Sequence, residues 1–478
     1  MEVGGDTYLL PHDEENGRLT GSSIEEVADS YGINDYGELD AYEATVSSTS
    51  IWTVGLERDG LGRITSKTET VGGVTSVTTY GYDEAGRLET VDVDEDNDEE
   101  VDSSESYAYD LNGNRYPAGE TGVDVDAQDR LRSWGDVEYG YTNHGTLLTR
   151  TDTSVTPAET TMYTYDPLGA LREVELADET LVEYGVDALG RRVRRSVDSM
   201  VTHRYLYHGS RVVAEVDGSG DVTSRYVYAS RGHVPDLLIR GGVTYRLLTD
   251  PLGSVRRVVN VDSGVVAQRI DYDVWGKVVS DTSPGFQPFG FAGGLYDPLT
   301  GLVRFGARDY DAETGRWTAK DPIRFDGGDG NLYAYVGNDP VNRVDSSGLE
   351  PDDTFDTPDG AAADWAEHMS DVTGGDKGEW ASDIYRTLLG EYSYTHLINC
   401  GSYNECQRPP FMKSWPLKKT AECHSHPLNE PGAEFVGDPD KQKAKNRRPV
   451  MDSYVRTGDG KLYRVFGGSG YALPLPLD

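Results

Sequence analysis

The sequence is poor in cysteine and in basic residues, and each shortage limits what the chain can be. Only 3 of its 478 residues are cysteines. A disulfide between Cys400 and Cys406 would leave Cys423 free, so at most one disulfide can form within the chain. The 44 basic residues are outnumbered by 83 acidic ones, for a formal net charge of -39. Nucleic acid is therefore an unlikely partner for the acidic bulk of the chain.

Long apolar runs are absent as well. No segment approaches the roughly 18 apolar residues of a membrane span, so we expect none. The first residues lack a basic stretch followed by an apolar run, and no secretory signal peptide is visible. Such an acidic surface would repel itself unless salt screened it, which predicts a salt-loving (halophilic) source. An acidic secreted protein is the alternative.

What is present is a repeat. An aromatic strand is followed by Asp, two spacers, Gly and often Arg, most clearly in Asp59–Arg63, Asp83–Arg87 and Asp187–Arg191. Weaker copies begin at Asp110, Asp166, Asp250 and Asp273. Tyr, Val and Thr favour strands, Asp closes turns and Gly supplies a positive φ, so each copy predicts a β-hairpin. The 31 Tyr against 9 Phe predict a sheet whose faces meet water or a polar cargo.

Interruptions of the repeat suggest the domain boundaries. A short helix is expected around Ser23 to Ser30, a loop over the acidic run Asp92 to Glu105, and a helix over Ala361 to Met369. The predicted division is an N-terminal segment (1–50), the repeats (51–288), a core (289–349) and a separate C-terminal domain (350–478).

The core carries the most specific motifs. These are RDYDAETGRW (308–317), DPI (321–323), NLYAYVGNDPVNRVD (331–345) and the closing SSGL (346–349). Together with the upstream repeats they resemble, over residues 50–349, the YD repeats and Rhs-associated core of Rhs, teneurin-like and Tc-toxin C proteins. The resemblance implies a mainly β fold, an antiparallel YD-repeat shell enclosing a C-terminal toxin that the core releases by self-cleavage.

In that family the cut is aspartyl-protease-like and follows the final Gly-Leu, here between Leu349 and Glu350. Carried over by motif, Asp309 and Asp321 are the catalytic carboxylates, and Arg308 sets their ionisation. Two adjacent carboxylates cannot both ionise easily, so one can act as base and the other as acid. The alternative is that the aspartates are turn residues and Arg308 is their surface partner. Where the family usually has a proline this chain has Ser346, which predicts a looser cleavage loop.

The C-terminal domain contains a His-x-His pair, His424 and His426. On a strand both imidazoles would face one side and suit a single zinc ion. Asp440 is the expected third ligand, with Asp438 as its rival, and Glu379 could be brought alongside by a strand. This order resembles the JAB or JAMM metalloprotease pattern over Glu379 to Phe466, which implies a smaller α+β domain.

By that pattern Glu379 is the acid and base of a zinc peptidase, and Met451 to Val465 form a closing hairpin. Gly437 occupies the position of the family's oxyanion-stabilising serine, which predicts reduced activity. The alternative is that both histidines are ordinary loop residues. Cys423 beside His424 is a poor candidate for a thiol protease, because strand neighbours face opposite ways.

The main functional hypothesis is a secreted or surface toxin whose zinc-dependent peptidase or isopeptidase acts on a protein of a target cell. Family analogy adds a secretion apparatus and a cognate immunity protein as partners. A second hypothesis is a nuclease-type toxin in the same shell, motivated by the basic run KQKAKNRR (441–448). A third is a non-enzymatic YD-repeat surface or adhesion protein.

Overall fold

The chain divides into two units, residues 1–352 and 353–478. The computed structural model describes residues 1–349 except 4, 14–18, 35–36, 118–121 and 328. Beyond residue 349 it describes the backbone of seven strands.

Antiparallel strands that pair in chain order make up most of the first unit. A hairpin of β1 (Glu2–Val3) and β2 (Asp6–Thr7) comes first. A nine-stranded sheet follows, with β3 (Gly21–Ile24), β4 (Val27–Ile33), β5 (Leu39–Val46), β6 (Thr49–Arg58), β7 (Ile64–Val71), β8 (Val74–Tyr82), β9 (Leu88–Asp94), β10 (Ser103–Tyr109) and β11 (Arg115–Pro117).

A second sheet of sixteen strands continues the same meander. Its strands are β12 (Asp124–Val125), β13 (Leu131–Trp134), β14 (Val137–Tyr141), β15 (Leu147–Asp152), β16 (Glu159–Tyr165), β17 (Leu171–Glu175), β18 (Leu181–Val186), β19 (Arg192–Val197), β20 (Met200–His208), β21 (Arg211–Val216), β22 (Val222–Val227), β23 (Leu237–Arg240), β24 (Val243–Thr249), β25 (Val255–Asn260), β26 (Val266–Tyr272) and β27 (Val278–Asp281).

The core segment adds a small sheet and three short 3-10 helices. The strands are β28 (Leu295–Tyr296), β29 (Leu302–Phe305), β30 (Arg308–Asp311) and β31 (Arg316–Trp317), and the helices are Phe291–Gly293, Arg324–Gly327 and Val336–Asn338. No helix among the described residues has the length and apolar character needed to cross a membrane. The prediction of a mainly β, antiparallel fold is confirmed.

The repeat motif is explained by the hydrogen bonds of one turn. Asp59 Oδ1 accepts from the backbone N–H groups of Leu61 (2.9 Å) and Arg63 (3.0 Å), and its Oδ2 accepts from Arg63 Nε at 2.8 Å. Gly62 has a φ of +79°, which a Cβ would strain. The Arg63 guanidinium then lies 4.6 Å from the centre of the Tyr82 ring, on the next hairpin. Arg87 and Arg191 contact Tyr109 and Tyr207 in the same way, so these three turns are each attached to a following strand.

Seven strands each bury one tyrosine near their C-terminal end. These tyrosines all have exposures below 10%. They are Tyr80, Tyr107, Tyr139, Tyr163, Tyr184, Tyr205 and Tyr226. The prediction that the faces of the sheet meet water is wrong for these tyrosines, because they pack in apolar clusters. The alternative, a face that meets a polar cargo, stays a prediction.

One local prediction is also wrong, and another holds only in part. Ser23 to Ser30 contain no helix but the turn between β3 and β4, where Ile24 and Val27 are buried. Cross-strand pairing with β5 overrides any local helical preference here. The acidic run is a loop only between β9 and β10, since both strands extend into it and pair Ser103 with Val93.

Buried ion pairs attach the core segment to the second sheet. Asp309 is 1% exposed and pairs with Arg192 of β19 at 2.6 Å and with Arg304 of β29 at 2.7 Å. Asp297 accepts from Arg195 Nε at 2.7 Å and Nη2 at 2.8 Å. Behind these pairs lies an aromatic cluster formed by Phe291, Phe305, Tyr310, Trp317 and Tyr335. Charge pairing and apolar packing together fix the core.

The described part of the second unit consists of seven strands. They are β32 (Trp380–Arg386), β33 (Tyr392–Tyr394), β34 (Ile398–Asn399), β35 (Lys418–Ser425), β36 (Asp452–Arg456), β37 (Leu462–Val465) and β38 (Ala472–Leu475). The pairing of β35 with β36 is parallel, and the other pairs are antiparallel. The hairpin expected over Met451 to Val465 is confirmed as β36 and β37. The helix predicted over Ala361 to Met369 lies outside the described residues.

Candidate active site

Three parts of the core segment meet in a small cleft at the end of the first unit. Strand β30 contributes Arg308, the loop after β31 contributes Asp321, and the closing segment contributes Asp345 and Leu349. The free space between them is about 20 Å³, enough for a single water molecule. The core segment thus folds back so that Gly348 and Leu349 lie close to the carboxyl groups of Asp321 and Asp345.

Arg308 is the centre of this cleft. Its Nη2 lies 2.9 Å from Asp321 Oδ2 and 3.1 Å from Asp345 Oδ2, and its Nε donates to the carbonyl oxygen of Gly348 at 2.6 Å. The guanidinium carbon is 4.1 Å from the centre of the Trp317 ring. All of these side chains are buried. One guanidinium therefore holds two carboxyl groups and the backbone of the closing segment in fixed positions.

The carboxyl groups also flank Leu349. The Leu349 N–H donates to Asp345 Oδ1 at 3.1 Å. A Cβ added to Gly327 would lie 2.8 Å from the Leu349 carbonyl oxygen and 2.9 Å from Asp321 Oδ2, so both oxygens border the same small space. The absence of a side chain at Gly327 keeps that space open. One carboxyl group thus binds the amide of Leu349, and the other lies near its carbonyl.

The closing segment itself is held tightly. The Ala307 N–H donates to the Ser347 carbonyl at 2.8 Å. Gly348 has a φ of +67°, and a Cβ there would come within 2.3 Å of the Phe305 carbonyl oxygen. Only glycine satisfies both conditions. The looser cleavage loop expected from Ser346 in place of proline stays a prediction.

Burial changes the ionisation of the cleft. Desolvation raises the pKa of Asp321 to about 6, although the charge of Arg308 opposes the rise. Desolvation also raises the pKa of Asp345, against Arg308 and the Ser347 hydroxyl. Burial lowers the pKa of Arg308, with both carboxylates opposing. A carboxyl group with a pKa near 6 can give and take a proton under mild conditions.

The structure brings Arg308, Asp321 and Leu349 together, but the expected pairing of Asp309 with Asp321 is wrong. Neighbouring residues on a strand face opposite ways, so Arg308 points into the cleft and Asp309 points away from it. Asp309 is taken up by its ion pairs with Arg192 and Arg304. The second carboxyl group of the cleft belongs to Asp345 instead. The sequence feature that could have indicated Asp345 is its position at the start of the closing motif, four residues before Leu349.

Part of the predicted C-terminal site lies outside the described residues, namely Glu379, His426, Asp438 and Asp440. His424 is on β35, whose antiparallel partner β32 begins with Trp380, the residue after Glu379. The described register pairs His424 with Ala381. The strand that carries His424 is therefore joined to the strand that follows Glu379.

One acidic group elsewhere in the described residues has suitable spacing for a metal. Oxygens of Asp94, Asp96 and Asp102 lie within 4.8 Å of one another. The Asp94 carboxylate already accepts from the backbone N–H groups of Asp98 and Glu99. The cluster is largely exposed, and its hydrogen bonds explain it as loop structure.

A long meander of hairpins with YD turns, anchored to a buried core segment, defines a YD-repeat protein. The family model described as the Teneurin YD-shell matches residues 7–341, and the chain belongs to this family. It is 30% identical to Teneurin-3 of Danio rerio over 334 residues, 65% of this chain and 12% of the relative. It is also 30% identical to the Double-stranded DNA deaminase toxin A of Burkholderia cenocepacia (strain H111) over 328 residues, 61% of this chain and 22% of the toxin.

Solved structures show the same fold at lower identity. The crystal structure of TcdB2-TccC3-Cdc42 matches 72% of this chain and 18% of that chain, with a TM-score of 0.51 and 15% identity. The Photorhabdus luminescens Tc holotoxin pore with the mutation TccC3-D651A matches 74% and 18%, with a TM-score of 0.50 and 14% identity. This chain spans about a fifth or less of the length of each of these proteins.

Proposed function

We propose that the core segment cuts its own chain between Leu349 and Glu350 and so releases residues 350–478 as a toxin effector. The observation that carries this proposal is the placement of Leu349. Its N–H is bound to Asp345, and its carbonyl oxygen borders the same small space at Gly327 as Asp321 Oδ2. The 30% identity to a relative named as a toxin supports the proposal.

The proposed reaction is hydrolysis by a pair of carboxyl groups. Asp345 accepts hydrogen bonds from Arg308, Ser347 and Leu349, which favour its ionised form, so it is the base that takes a proton from water. Protonated Asp321 gives its proton to the Leu349 carbonyl oxygen as the water oxygen bonds to the carbonyl carbon. When the C–N bond breaks, Asp345 passes its proton to the leaving amine of Glu350, and Asp321 regains one from the new carboxyl group.

Intact-mass measurement on the full chain tests this reaction. The wild type is expected to give two fragments that end and begin at Leu349 and Glu350, whereas Asp321→Asn and Asp345→Asn remain whole. Glu313→Gln is the matched control, because Glu313 belongs to the same segment but is exposed and pairs with Arg150 and Lys277. A wild-type chain that stays intact would leave the non-enzymatic surface or adhesion protein as the better hypothesis.

For the effector we propose a zinc-dependent peptidase or isopeptidase that acts on a target-cell protein. Two imidazoles and a carboxylate, His424, His426 and Asp440 with Asp438 as rival, are a donor set that suits zinc. Bound zinc would lower the pKa of a water ligand. Glu379 is then the residue that accepts and delivers the proton. The pairing of β32 with β35 supports a common site, because Glu379 directly precedes one strand and His424 lies on the other.

Metal analysis of the full chain tests this second proposal separately. One zinc per chain is expected in the wild type and its loss in His424→Ala, with His396→Ala as a control from the same unit. A zinc-free wild type would contradict the zinc peptidase and leave the nuclease-type toxin as the alternative to test. By analogy with toxins of this kind, we propose export by a secretion apparatus and neutralisation by a cognate immunity protein.

A further inference from the structure

A serine hydroxyl links the two ends of the proposed cleavage site. Ser347 Oγ donates to Asp345 Oδ1 at 3.0 Å and accepts from the Leu349 N–H at 3.1 Å. The same N–H also reaches Asp345 Oδ1 at 3.1 Å. One hydroxyl therefore contacts both the carboxylate proposed as base and the residue whose carbonyl is attacked.

The backbone around this hydroxyl is fixed on both sides. The Ser347 carbonyl accepts from the Ala307 N–H at 2.8 Å, and Gly348 is pressed against the turn between β29 and β30. On the other side the Asp345 carboxylate is paired with Arg308. The Ser347 hydroxyl spans the two fixed parts, in a segment where Ser346 and Ser347 provide no proline to restrict φ.

We propose that Ser347 is a positioning residue for the cleavage proposed above, and this inference rests on that proposed function. Its hydroxyl orients the Asp345 carboxylate toward the attacking water and holds the amide of Leu349 in the cleft. It forms no covalent bond and takes no proton. The other charged groups that line this cleft are Arg308 from β30, Asp321 from the loop after β31, Arg324 from the 3-10 helix that follows, and Asp329.

A time course of cleavage tests the role of Ser347. The full chain is made in a short pulse of cell-free synthesis, and the loss of the uncut band is followed for the wild type, Ser347→Ala and Ser347→Thr. Ser347→Ala removes a hydrogen bond to a charged group. We therefore expect cleavage to be about tenfold slower, or more, in this variant. The threonine variant keeps the hydroxyl and is expected to recover most of the rate.

The pH profile separates positioning from simple support of the fold. Because the Ser347 hydroxyl favours ionised Asp345, its removal raises the pKa of that carboxyl group. The acid limb of the rate profile should therefore move to higher pH in Ser347→Ala. A merely structural defect would lower the rate without moving the limb.

Ser154→Ala is the matched control, since Ser154 Oγ also donates to an aspartate two residues earlier, Asp152, at 2.6 Å, but in an exposed turn. It should cleave like the wild type. A Ser347→Ala chain that cleaves at the wild-type rate, or slows with an unmoved profile, overturns the positioning role while leaving self-cleavage intact. A wild-type chain that never cleaves overturns the proposed function itself.

Discussion

Aspartate meets arginine both in the repeat turns and in the core cleft, and the pairs behave in opposite ways. The turn from Asp126 to Arg130 has the same hydrogen bonds as the turn from Asp59 to Arg63. Burial there opposes ionisation of Asp126, but Arg130 and two backbone N–H groups together outweigh it and lower the pKa to about 2. In the cleft, burial of Asp321 outweighs the charge of Arg308 and raises the pKa to about 6. Arg130 and the backbone thus keep the partly exposed Asp126 ionised, whereas burial lets Asp321 hold a proton at mildly acidic pH although an arginine lies beside it.

The largest expected effect comes from removing the acid of the cleft. Asp321→Asn should slow cleavage about 100-fold to 10,000-fold, because the amide cannot donate a proton to the Leu349 carbonyl oxygen. Intact mass measured over time gives the rate. Asp83→Asn, which removes the equivalent carboxylate from a repeat turn, should leave the rate unchanged. Equal slowing in both variants would show that the cleft has no special role.

The next largest effect concerns the buried clamp at Asp309. Asp309→Asn leaves Arg192 and Arg304 as buried cations without their shared partner, which should cost about 3–5 kcal/mol of unfolding free energy. Urea unfolding of a variant that also carries Asp321→Asn measures this without interference from cleavage. A change below about 1 kcal/mol would mean that Asp309 contributes little to stability.

The pH dependence sharpens the comparison further. Asp321 acts in its protonated form, so the cleavage rate should fall about tenfold per pH unit above a pH of about 6. Asp345 acts in its ionised form, so the rate should also fall as the pH drops below its raised pKa. A bell-shaped profile of initial rates is therefore expected. A rate independent of pH between 5 and 8 would contradict the assignment of the acid.

The smallest effect is expected in a repeat turn. Asp83→Asn should lower the unfolding free energy by about 0.2–1 kcal/mol, since the Asp83–Arg87 pair is partly exposed. Backbone and arginine hydrogen bonds lower the pKa of Asp83 against a desolvation effect of opposite sign. The loss of unfolding free energy in Asp83→Asn should therefore be complete above the ordinary pKa of aspartate. It should vanish as the pH falls through the lowered pKa of Asp83 in the folded chain. Urea unfolding at pH 7 and pH 3 compares the two conditions.

The sequence by itself determined the hairpin repeats, because each turn is built from residues at most four positions apart. Asp59, Gly62 and Arg63 bind one another, and a local pattern is enough to recognise them. It also indicated the cleft through Arg308, Asp321 and the closing Gly-Leu. The predicted partner of Asp321 was Asp309, whereas the structure places Asp345 there. The buried tyrosines were missed because the period of a strand does not tell which face will be covered.

Only the tertiary structure decided which carboxyl groups share Arg308. Asp345 lies 37 positions from Arg308, and Arg192 lies 117 positions from Asp309. No local pattern fixes such contacts, since they depend on how the core segment packs against the second sheet. The raised pKa of Asp321 is decided at the same level, because desolvation exists only once that packing has excluded water.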